Sequence, residues 1–167
     1  MKKITILLLL FVSFKFTIAQ DDNIDVNHDK GLEAYASFSG GFPIKGMEHY
    51  DYSIGAYTHF DYNFNEHIVA RVDIGWNEFY GPDRNYTDVN GTIHKEEVNM
   101  SVWEFTAGAR YRMSIFYAEA RGGYFTGIHK WGAVPAIGVK YKAFDVQANI
   151  IMAKDMQWGG VRIGYFF

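Results

Sequence analysis

The chain has 167 residues, a formal net charge of −3 and a pI of about 6.0, so no basic excess points to a nucleic-acid partner. The absence of cysteine excludes disulfides, thiolate metal sites and an acylated N-terminal cysteine of the lipoprotein type. Aromatic residues make up 18% of the chain, beside 17 glycines and 3 prolines, and this composition is typical of a membrane β-barrel, in which only every second residue faces lipid.

The N-terminus has the pattern of a secretory signal peptide. Two lysines follow the first methionine, residues 4–14 form an apolar run, and Thr17 and Ala19 stand at the −3 and −1 positions of a small-residue cleavage site. The apolar run is too short for a membrane-spanning helix, which needs about 20 apolar residues. We therefore predict that residues 1–19 are a cleaved signal peptide.

The next residues, 20–31, are acidic, polar and without periodicity, which predicts a flexible leader on the periplasmic side. The pattern D-x-N-x-D-x-G at residues 25–31 is similar to a calcium-binding loop. Its glycine stands one place too late for an EF-hand, and Ala36 occupies the place of the acidic twelfth residue. We therefore expect neither a metal nor a cofactor.

From Leu32 to the C-terminus, apolar and polar residues alternate with a period of two between turn residues. This pattern predicts eight strands, at residues 32–42, 52–62, 68–79, 99–112, 115–125, 134–141, 144–152 and 159–167. About ten residues per strand, tilted by roughly 45°, are enough to cross a membrane. The predicted fold is all-β: an eight-stranded antiparallel transmembrane up-and-down β-barrel that forms one domain, residues 32–167. Pro135 cannot donate to a strand ladder, so we place it at the start of the sixth strand.

The predicted connections alternate in length. The short ones are residues 63–67, 113–114 and 142–143, and the longer ones are residues 45–51, 80–98, 126–133 and 153–158. Short periplasmic turns that alternate with longer external loops are typical of membrane barrels. The first group therefore marks the periplasmic side, and the second marks the outside of the cell.

The two faces of each strand differ in polarity. In the third strand Ile68, Ala70, Val72, Ile74 and Trp76 oppose Arg71, Asp73 and Asn77. A soluble lipocalin-like periplasmic barrel would have the same alternation with the apolar face turned inward. The apolar face is uncharged at mid-strand, and aromatic residues gather near the strand ends, as in the interfacial belts of membrane barrels. These aromatic residues are Phe60, Tyr62, Trp76, Tyr111, Tyr124, Tyr141 and Tyr165. We therefore predict that the apolar face meets lipid.

Residues 161–167 alternate and end on the pattern aromatic-x-Phe, formed by Tyr165 and Phe167. In this the chain resembles the closing strand of bacterial outer-membrane barrels, and residues 32–167 resemble small barrels of the OmpA/OmpX type. The resemblance implies a place in the outer membrane of a Gram-negative cell, with lipid and lipopolysaccharide as neighbours. It also implies recognition of the C-terminal strand by the barrel-assembly machinery, with Phe167 as the anchor. We expect a monomer.

The polar face predicts an inward-facing network of six acidic and seven basic side chains, with one histidine beside them. Its members are Glu33, His59, Asp61, Arg71, Asp73, Glu104, Arg110, Arg112, Glu119, Arg121, Lys140, Lys142, Asp145 and Arg162. The interior of an eight-stranded barrel is just wide enough for side chains to fill it, and buried charges need partners. We therefore expect a salt-bridged plug instead of an open pore.

Catalytic residues are not evident. His59 and Asp61 share the inward face two residues apart, which predicts a hydrogen-bonded pair. A catalytic base also needs a nucleophile within hydrogen-bond reach, and Ser37, Ser39 and Thr106 are the candidates on that face. No motif of a lipid-acting barrel enzyme is present, so we expect that the protein is not an enzyme.

The long loop at residues 80–98 is the predicted recognition surface, because loops on a rigid scaffold usually carry binding residues. Its candidates are Tyr80, Arg84, Tyr86 and Ile93. The leading interpretation is a structural or surface-interaction role through this and the other external loops. A narrow channel or transporter, a lipid-modifying barrel enzyme and a soluble lipocalin-like barrel are the alternatives.

Overall fold

The structure is a computed structural model that describes residues 31–96 and 98–166. The predicted signal peptide, the leader up to residue 30 and the predicted anchor Phe167 lie outside these residues. The described strands are β1 (Gly31–Lys45), β2 (Tyr52–Asn63), β3 (Ile68–Tyr80), β4 (Arg84–Thr87), β5 (Ile93–Glu96), β6 (Asn99–Met113), β7 (Phe116–Phe125), β8 (Lys130–Tyr141), β9 (Phe144–Ala153) and β10 (Met156–Phe166). No helix in this part of the chain is long and apolar enough to cross a membrane.

Eight of the strands close into an antiparallel barrel in the order β1-β10-β9-β8-β7-β6-β3-β2, with β2 paired back to β1. The predicted eight-stranded up-and-down barrel is therefore confirmed. Following the paired residues once around the barrel from Gly31 returns to β1 at Gly41, ten residues further along. With a strand spacing of about 4.8 Å and a rise of about 3.4 Å per residue, this stagger tilts the strands by about 40°.

Three hairpins of the barrel close with two-residue turns. The first residue of each turn, Ser114, Lys142 or Lys154, has a positive φ of 60°, 53° or 55°, which gives the turn a twist that matches the twist of the strands. The turns at Ser114 and Lys142 lie at the end of the barrel where β1 begins and β10 ends, called here the terminus end. The turn at Lys154 lies at the opposite end, called the loop end, where residues 81–98 connect β3 to β6.

Two of the loops that were predicted to be external are shorter than predicted. Strand β8 begins at Lys130, where it pairs with Phe125, and β10 begins at Met156, where it pairs with Ala153. The predicted loops at residues 126–133 and 153–158 are therefore turns of four and two residues. The backbone continues its ladder wherever a partner strand is available, so the contrast in loop length depends mainly on residues 81–98.

The sequence analysis placed Pro135 at the start of its strand, but Pro135 lies in the middle of β8. It pairs with Ala120 of β7, whereas the ladder to β9 is interrupted between the pairs Ala133–Met152 and Ala136–Asn149 and resumes in the same register. Because proline lacks only its own N–H group, the sheet accommodates it with a local gap on one side.

Two belts of at least partly exposed aromatic side chains surround the outer wall. At the terminus end they are Tyr62, Phe64, Tyr111, Phe116, Tyr141, Phe144 and Tyr165, and at the loop end they are Phe42, Tyr52, Trp76, Tyr80, Trp103, Tyr124 and Trp131. Ring pairs occur within both belts, with centroids 5.0 Å apart for Tyr62–Phe64 and 5.1 Å for Tyr52–Tyr80. Such belts stabilise a barrel at the two membrane interfaces.

Between the belts, the outward positions of the described strands carry no charged side chain, and apolar residues such as Val72, Phe105 and Ile163 are exposed there. Trp103 and Tyr111 are eight residues apart on β6, which spans on the order of 20 Å along the axis of a barrel with this tilt. In a lipocalin-like barrel the apolar residues would line a cavity, so that alternative is excluded. The barrel spans a membrane.

Candidate functional site

The interior has two parts, and the sequence predicted only one of them. Near the loop end, nine buried apolar residues form a cap: Met47, Phe79, Val102, Phe125, Ile128, Val134, Ile151, Ala153 and Trp158. The Trp158 ring packs edge-on against Phe79 and Phe125, with centroids 5.4 and 5.5 Å away. Met47, from the connection between β1 and β2, is also buried there. The predicted salt-bridged plug therefore occupies only part of the interior, and the apolar cap was not predicted.

The rest of the interior is a network of buried ions, with five arginines and five acids among the buried side chains. Two carboxylates are its centres. Asp73 contacts His59, Arg121 and Arg162. Glu119 lies 2.9 Å from Arg71 and from Arg110, and 2.6 Å from Arg121. Each charge therefore meets charges of opposite sign from other strands.

Toward the terminus end, Arg71 donates two hydrogen bonds of 2.7 Å to the two oxygens of Asp61. Arg110 donates to Asp145 over 2.9 Å, and the hydroxyl of Tyr35 accepts hydrogen bonds from both arginines. Bidentate arginine–carboxylate pairs are among the strongest ionic contacts. This layer therefore binds β1, β2, β3, β6 and β9 to one another.

Toward the loop end, Arg162 donates to Glu104 over 3.0 Å, and its guanidinium carbon lies 3.5 Å from the ring centroid of Tyr57. Glu104 also accepts hydrogen bonds from the Tyr57 hydroxyl, over 2.9 Å, and from the Asn77 side-chain amide. The ring of Tyr57 fits because its neighbour on β3 is Gly75, where a β-carbon would stand 2.1 Å from a ring atom.

At the mouth of the terminus end, Lys140 donates to Glu33 over 2.9 Å, and Arg112 lies 3.6 Å from the same carboxylate. Phe166 lies at this mouth, stacked on Tyr35 with centroids 3.9 Å apart. Lys142, predicted for the network, is instead exposed in the turn between β8 and β9. The other thirteen predicted members lie in the interior or, for Glu33 and Lys140, at its mouth.

Several polar members of the network were not among the predicted site residues, and Tyr35, Tyr57, Tyr117 and Gln147 are four of them. Tyr117 donates to Asp145 over 2.5 Å, and Gln147 donates to Glu119 over 3.1 Å. All four stand at inward positions of their strands, so the same period of two could have identified them. Tyrosine is also common on lipid-facing belts, which hides this signal in the sequence.

The predicted His59–Asp61 pair does not form. His59 Nδ1 is bound to Asp73 and His59 Nε2 to Ser37 Oγ, each over 2.7 Å. Asp61 is committed to Arg71, because the stagger of the strands sets the neighbours of each side chain. Ser37, His59 and Asp73 therefore stand in the order of a Ser-His-Asp triad.

This line of three side chains lies in the buried interior of the barrel. Ser37, His59 and Asp73 are all buried, and Tyr35 stacks on His59 with centroids 4.3 Å apart. Asp73 is also shared with two arginines. An acyl-transfer site needs a carbonyl beside the nucleophile and donors for its oxyanion. The arrangement is suited to holding β1, β2 and β3 together.

One cavity lies between the cap and the network and is lined by Trp158, Asn149 and Arg162, among others; its volume of about 10 Å³ accommodates about one water molecule. Among the described residues, no three His, Cys, Asp or Glu side chains are arranged to hold a metal ion.

The long loop contains a β-hairpin that the sequence did not predict. Strand β4 pairs with β5 from Arg84–Glu96 to Thr87–Ile93, and this pair forms a separate two-stranded sheet. Of the predicted recognition residues, Tyr80 ends β3 in the outer belt and Ile93 is 70% exposed on β5. Arg84 and Tyr86 belong to β4, and the structure describes only their backbone.

The tip of the hairpin is held in place by Asp88. Its carboxylate accepts hydrogen bonds from the backbone N–H groups of Asn90 and Thr92, over 2.8 and 2.9 Å. Gly91 takes a φ of 80°, a conformation that favours glycine. Val89 is fully exposed at this tip. An apolar side chain is thus presented on a preformed turn.

The described part of the closing strand has Tyr165 on the outer wall, edge-on to Phe144 with centroids 5.5 Å apart. Phe167, the predicted anchor of the assembly signal, lies outside the described residues. The position of Tyr165 in the outer belt agrees with the outward face predicted for it.

Comparison of the chain with protein-family models and with curated proteins found no match. Among solved structures, it is similar to a designed transmembrane β-barrel, with a TM-score of 0.52 and 13% identity over 83% of this chain and 98% of the designed one. Two further similar structures have lower TM-scores. Ail, the attachment invasion locus protein of Yersinia pestis, solved in complex with the heparin analogue sucrose octasulfate, has a TM-score of 0.45 and 14% identity over 81% and 97% of the two chains. The β domain of the Bordetella autotransporter BrkA has a TM-score of 0.40 and 13% identity, over 83% of this chain and 69% of the BrkA chain. The likeness to the designed barrel concerns the fold, which is that of a transmembrane β-barrel.

Proposed function

We propose that this protein is an outer-membrane barrel of a Gram-negative envelope, and that it presents the β4–β5 hairpin to other molecules at the cell surface. The predicted signal peptide and the aromatic-x-Phe ending support export to that membrane. The terminus end, with its short turns, then faces the periplasm, and the hairpin at the loop end faces outward.

The observation that carries the surface role is the hairpin itself. Strands β4 and β5 pair with each other in a sheet separate from the barrel, so each has an outer edge available for an extended partner. The tip adds Val89 and Ile93 as exposed apolar side chains, and Lys95 forms an ion pair with Asp83 at the base. A preorganised hairpin loses little conformational entropy when it binds a partner.

The closed interior supports a scaffold instead of a channel. Ion pairs occupy the middle of the barrel, and the apolar cap occupies its loop end. We expect no sustained conductance from the purified barrel in planar lipid bilayers. Stable single-channel currents would contradict the proposed closed scaffold and favour the narrow channel.

The test of the surface role compares cells that display the whole chain with cells that display a chain in which a short Gly-Ser turn replaces residues 83–96. We expect the first to adhere to protein-coated glass and to one another more strongly. Heat-modifiable migration in gels verifies that both barrels fold. Equal adhesion by two folded barrels would refute the surface role.

The position of the hairpin can be checked separately. Because the chain has no cysteine, Val89→Cys creates a single labelling site at the tip. On intact cells we expect it to react with a membrane-impermeant maleimide, while Ser114→Cys, in a turn at the terminus end, stays unlabelled until the outer membrane is permeabilised. The reverse pattern would mean that the barrel is inserted with the opposite orientation.

A lipid-acting enzyme is the second candidate, because Ser37, His59 and Asp73 are hydrogen-bonded in a line. Their burial argues against it. We expect Ser37→Ala to leave the lipid composition of the outer membrane unchanged. Loss of a lipid-modifying or phospholipase activity in that variant, with normal folding, would establish the enzyme instead.

A further inference from the structure

Two glycines face each other inside the barrel, where its first and last strands pair. Gly41 of β1 is opposite Gly160 of β10, and both stand at inward positions of their strands. On either side of this pair, Ser53 of β2 is opposite Gly41 and Asn149 of β9 is opposite Gly160. Because the two middle positions of this row have no side chain, they leave the cavity of about 10 Å³ that all four residues line, called here the glycine niche.

Three buried N–H donors line the glycine niche without a hydrogen-bond partner among the described residues. They are Nε1 of Trp158, Nδ2 of Asn149 and Nε of Arg162. Trp158 and Arg162 stand two residues to either side of Gly160 on β10, and Asn149 is its partner on β9. The three side chains therefore surround the position at which Gly160 has none. Since a buried donor without an acceptor is unfavourable, the niche is suited to a ligand that accepts hydrogen bonds.

The neighbouring acceptors of the network are engaged elsewhere. Arg162 uses Nη1 and Nη2 to donate to Asp73 and Glu104, over 3.3 and 3.0 Å, so that Nε is the nitrogen left for the niche. Glu104 accepts further hydrogen bonds from the network, and Oδ1 of Asn77 accepts from Ser39 over 3.2 Å. The three donors of the niche therefore need an acceptor that the network does not supply.

We propose that the glycine niche binds a monatomic anion, with chloride as the physiological case. A water molecule accepts two hydrogen bonds and has two of its own to donate, whereas a halide ion accepts from all three donors and donates none. The volume accommodates about one water molecule, which is too little for a polyatomic oxyanion such as phosphate. The bound anion joins Trp158 of the cap to Arg162 of the network at the strand pair that closes the barrel.

The experiment is urea unfolding of the exported chain, refolded in detergent micelles in sodium chloride or in sodium gluconate of equal ionic strength. Gluconate is too large for the niche, and the equal ionic strength keeps charge screening the same. A ligand that binds only the folded state lowers the unfolding equilibrium constant by the factor 1 + [ligand]/Kd. With one site, we expect that constant to fall about tenfold for each tenfold rise in chloride above the Kd.

A matched pair of variants assigns the effect to the niche. Trp158→Phe keeps an aromatic ring in the cap but removes one donor, and its unfolding constant should change less than about twofold over the same chloride range. Trp131→Phe removes an indole N–H group from the outer wall, where Trp131 is 75% exposed, and should keep the full chloride dependence of the parent. An equal chloride effect in Trp158→Phe and the parent would overturn the proposal, because the anion then acts outside the niche.

A second measurement needs no variant and therefore serves even if Trp158→Phe does not fold. The NMR signal of the Trp158 indole N–H group should differ between the chloride and gluconate samples, while those of Trp76, Trp103 and Trp131, on the outer wall, should coincide. A Trp158 signal that is the same in both samples would overturn the proposal, as would equal unfolding constants in the two salts, because a water molecule then occupies the niche.

Discussion

Replacing Arg71 with methionine isolates the contribution of one buried ion pair. The substitution keeps most of the side-chain volume but removes both 2.7 Å hydrogen bonds to Asp61. Asp61 is fully buried and is left with Arg110 at 3.9 Å and Arg112 at 4.0 Å. The other two anionic partners of Arg71 keep cations: Glu119 keeps Arg110 at 2.9 Å and Arg121 at 2.6 Å. Asp73, 3.8 Å from Arg71, keeps Arg121 and Arg162. The damage therefore concentrates on one carboxylate.

Loss of one partner of a buried ion pair costs about 3–5 kcal/mol, so Arg71→Met should lower the free energy of unfolding by about that amount. Adding Asp61→Leu removes the orphaned charge, and the double variant should return to within about 1 kcal/mol of the parent. Arg71→Lys, which keeps the charge but loses the planar fork, should fall between the parent and Arg71→Met.

The assay is urea unfolding of the refolded barrel in lipid vesicles, followed by the difference in gel migration between boiled and unboiled samples. Linear extrapolation of each transition gives the free energy of unfolding in the absence of urea. If the double variant is as unstable as Arg71→Met alone, the orphaned charge is not the cause, and the reasoning about the network is refuted.

Three further predictions concern the wall, the packing and one loop. Val72→Arg, on the lipid face near mid-membrane, should lower the free energy of unfolding in vesicles by about 2–4 kcal/mol, whereas Val72→Leu should leave it nearly unchanged. Equal effects would contradict the assignment of faces. Gly75→Ala should displace Tyr57 and lower the urea midpoint of unfolding, since the new methyl group would stand 2.1 Å from the ring. Adding Tyr57→Leu should restore the midpoint. No loss of stability in the single variant would argue against this packing. In the loop between β1 and β2, hydrogen bonds from the backbone N–H groups of Glu48 and Gly46 hold the pKa of the Glu48 carboxyl below its ordinary value. Since the pKa of Glu48 is lower in the folded protein, these hydrogen bonds should stabilise the loop at pH values above the unfolded pKa. That stabilisation should be lost as the pH falls through the folded pKa. An NMR titration in which Glu48 has its ordinary pKa would disprove the contact.

The alternation of residue types was enough to predict the eight strands and to separate their two faces. The uncharged apolar face and the aromatic residues near the strand ends then predicted which face is outward. In a period-two pattern, adjacent residues such as Arg71 and Val72 lie on opposite faces of the strand, whichever strands pair with it. The hairpin β4–β5 was missed because its two strands have only four residues each, too few for a clear pattern. The apolar cap was missed because Phe79, Val102 and Ile151 are apolar residues at inward positions, where the sequence reasoning considered only the polar ones.

The sequence by itself determined that this chain forms a membrane-spanning barrel with charged residues inside, because burial and lipid exposure act on each residue separately. The tertiary structure decided which charges meet. The stagger of ten residues around the barrel pairs His59 with Asp73 and Ser37 and assigns Asp61 to Arg71. Among the described residues it leaves the Arg112 guanidinium without a hydrogen bond. Contacts across the interior join strands that are distant in the chain, so their partners depend on the closure of the sheet and not on any local pattern.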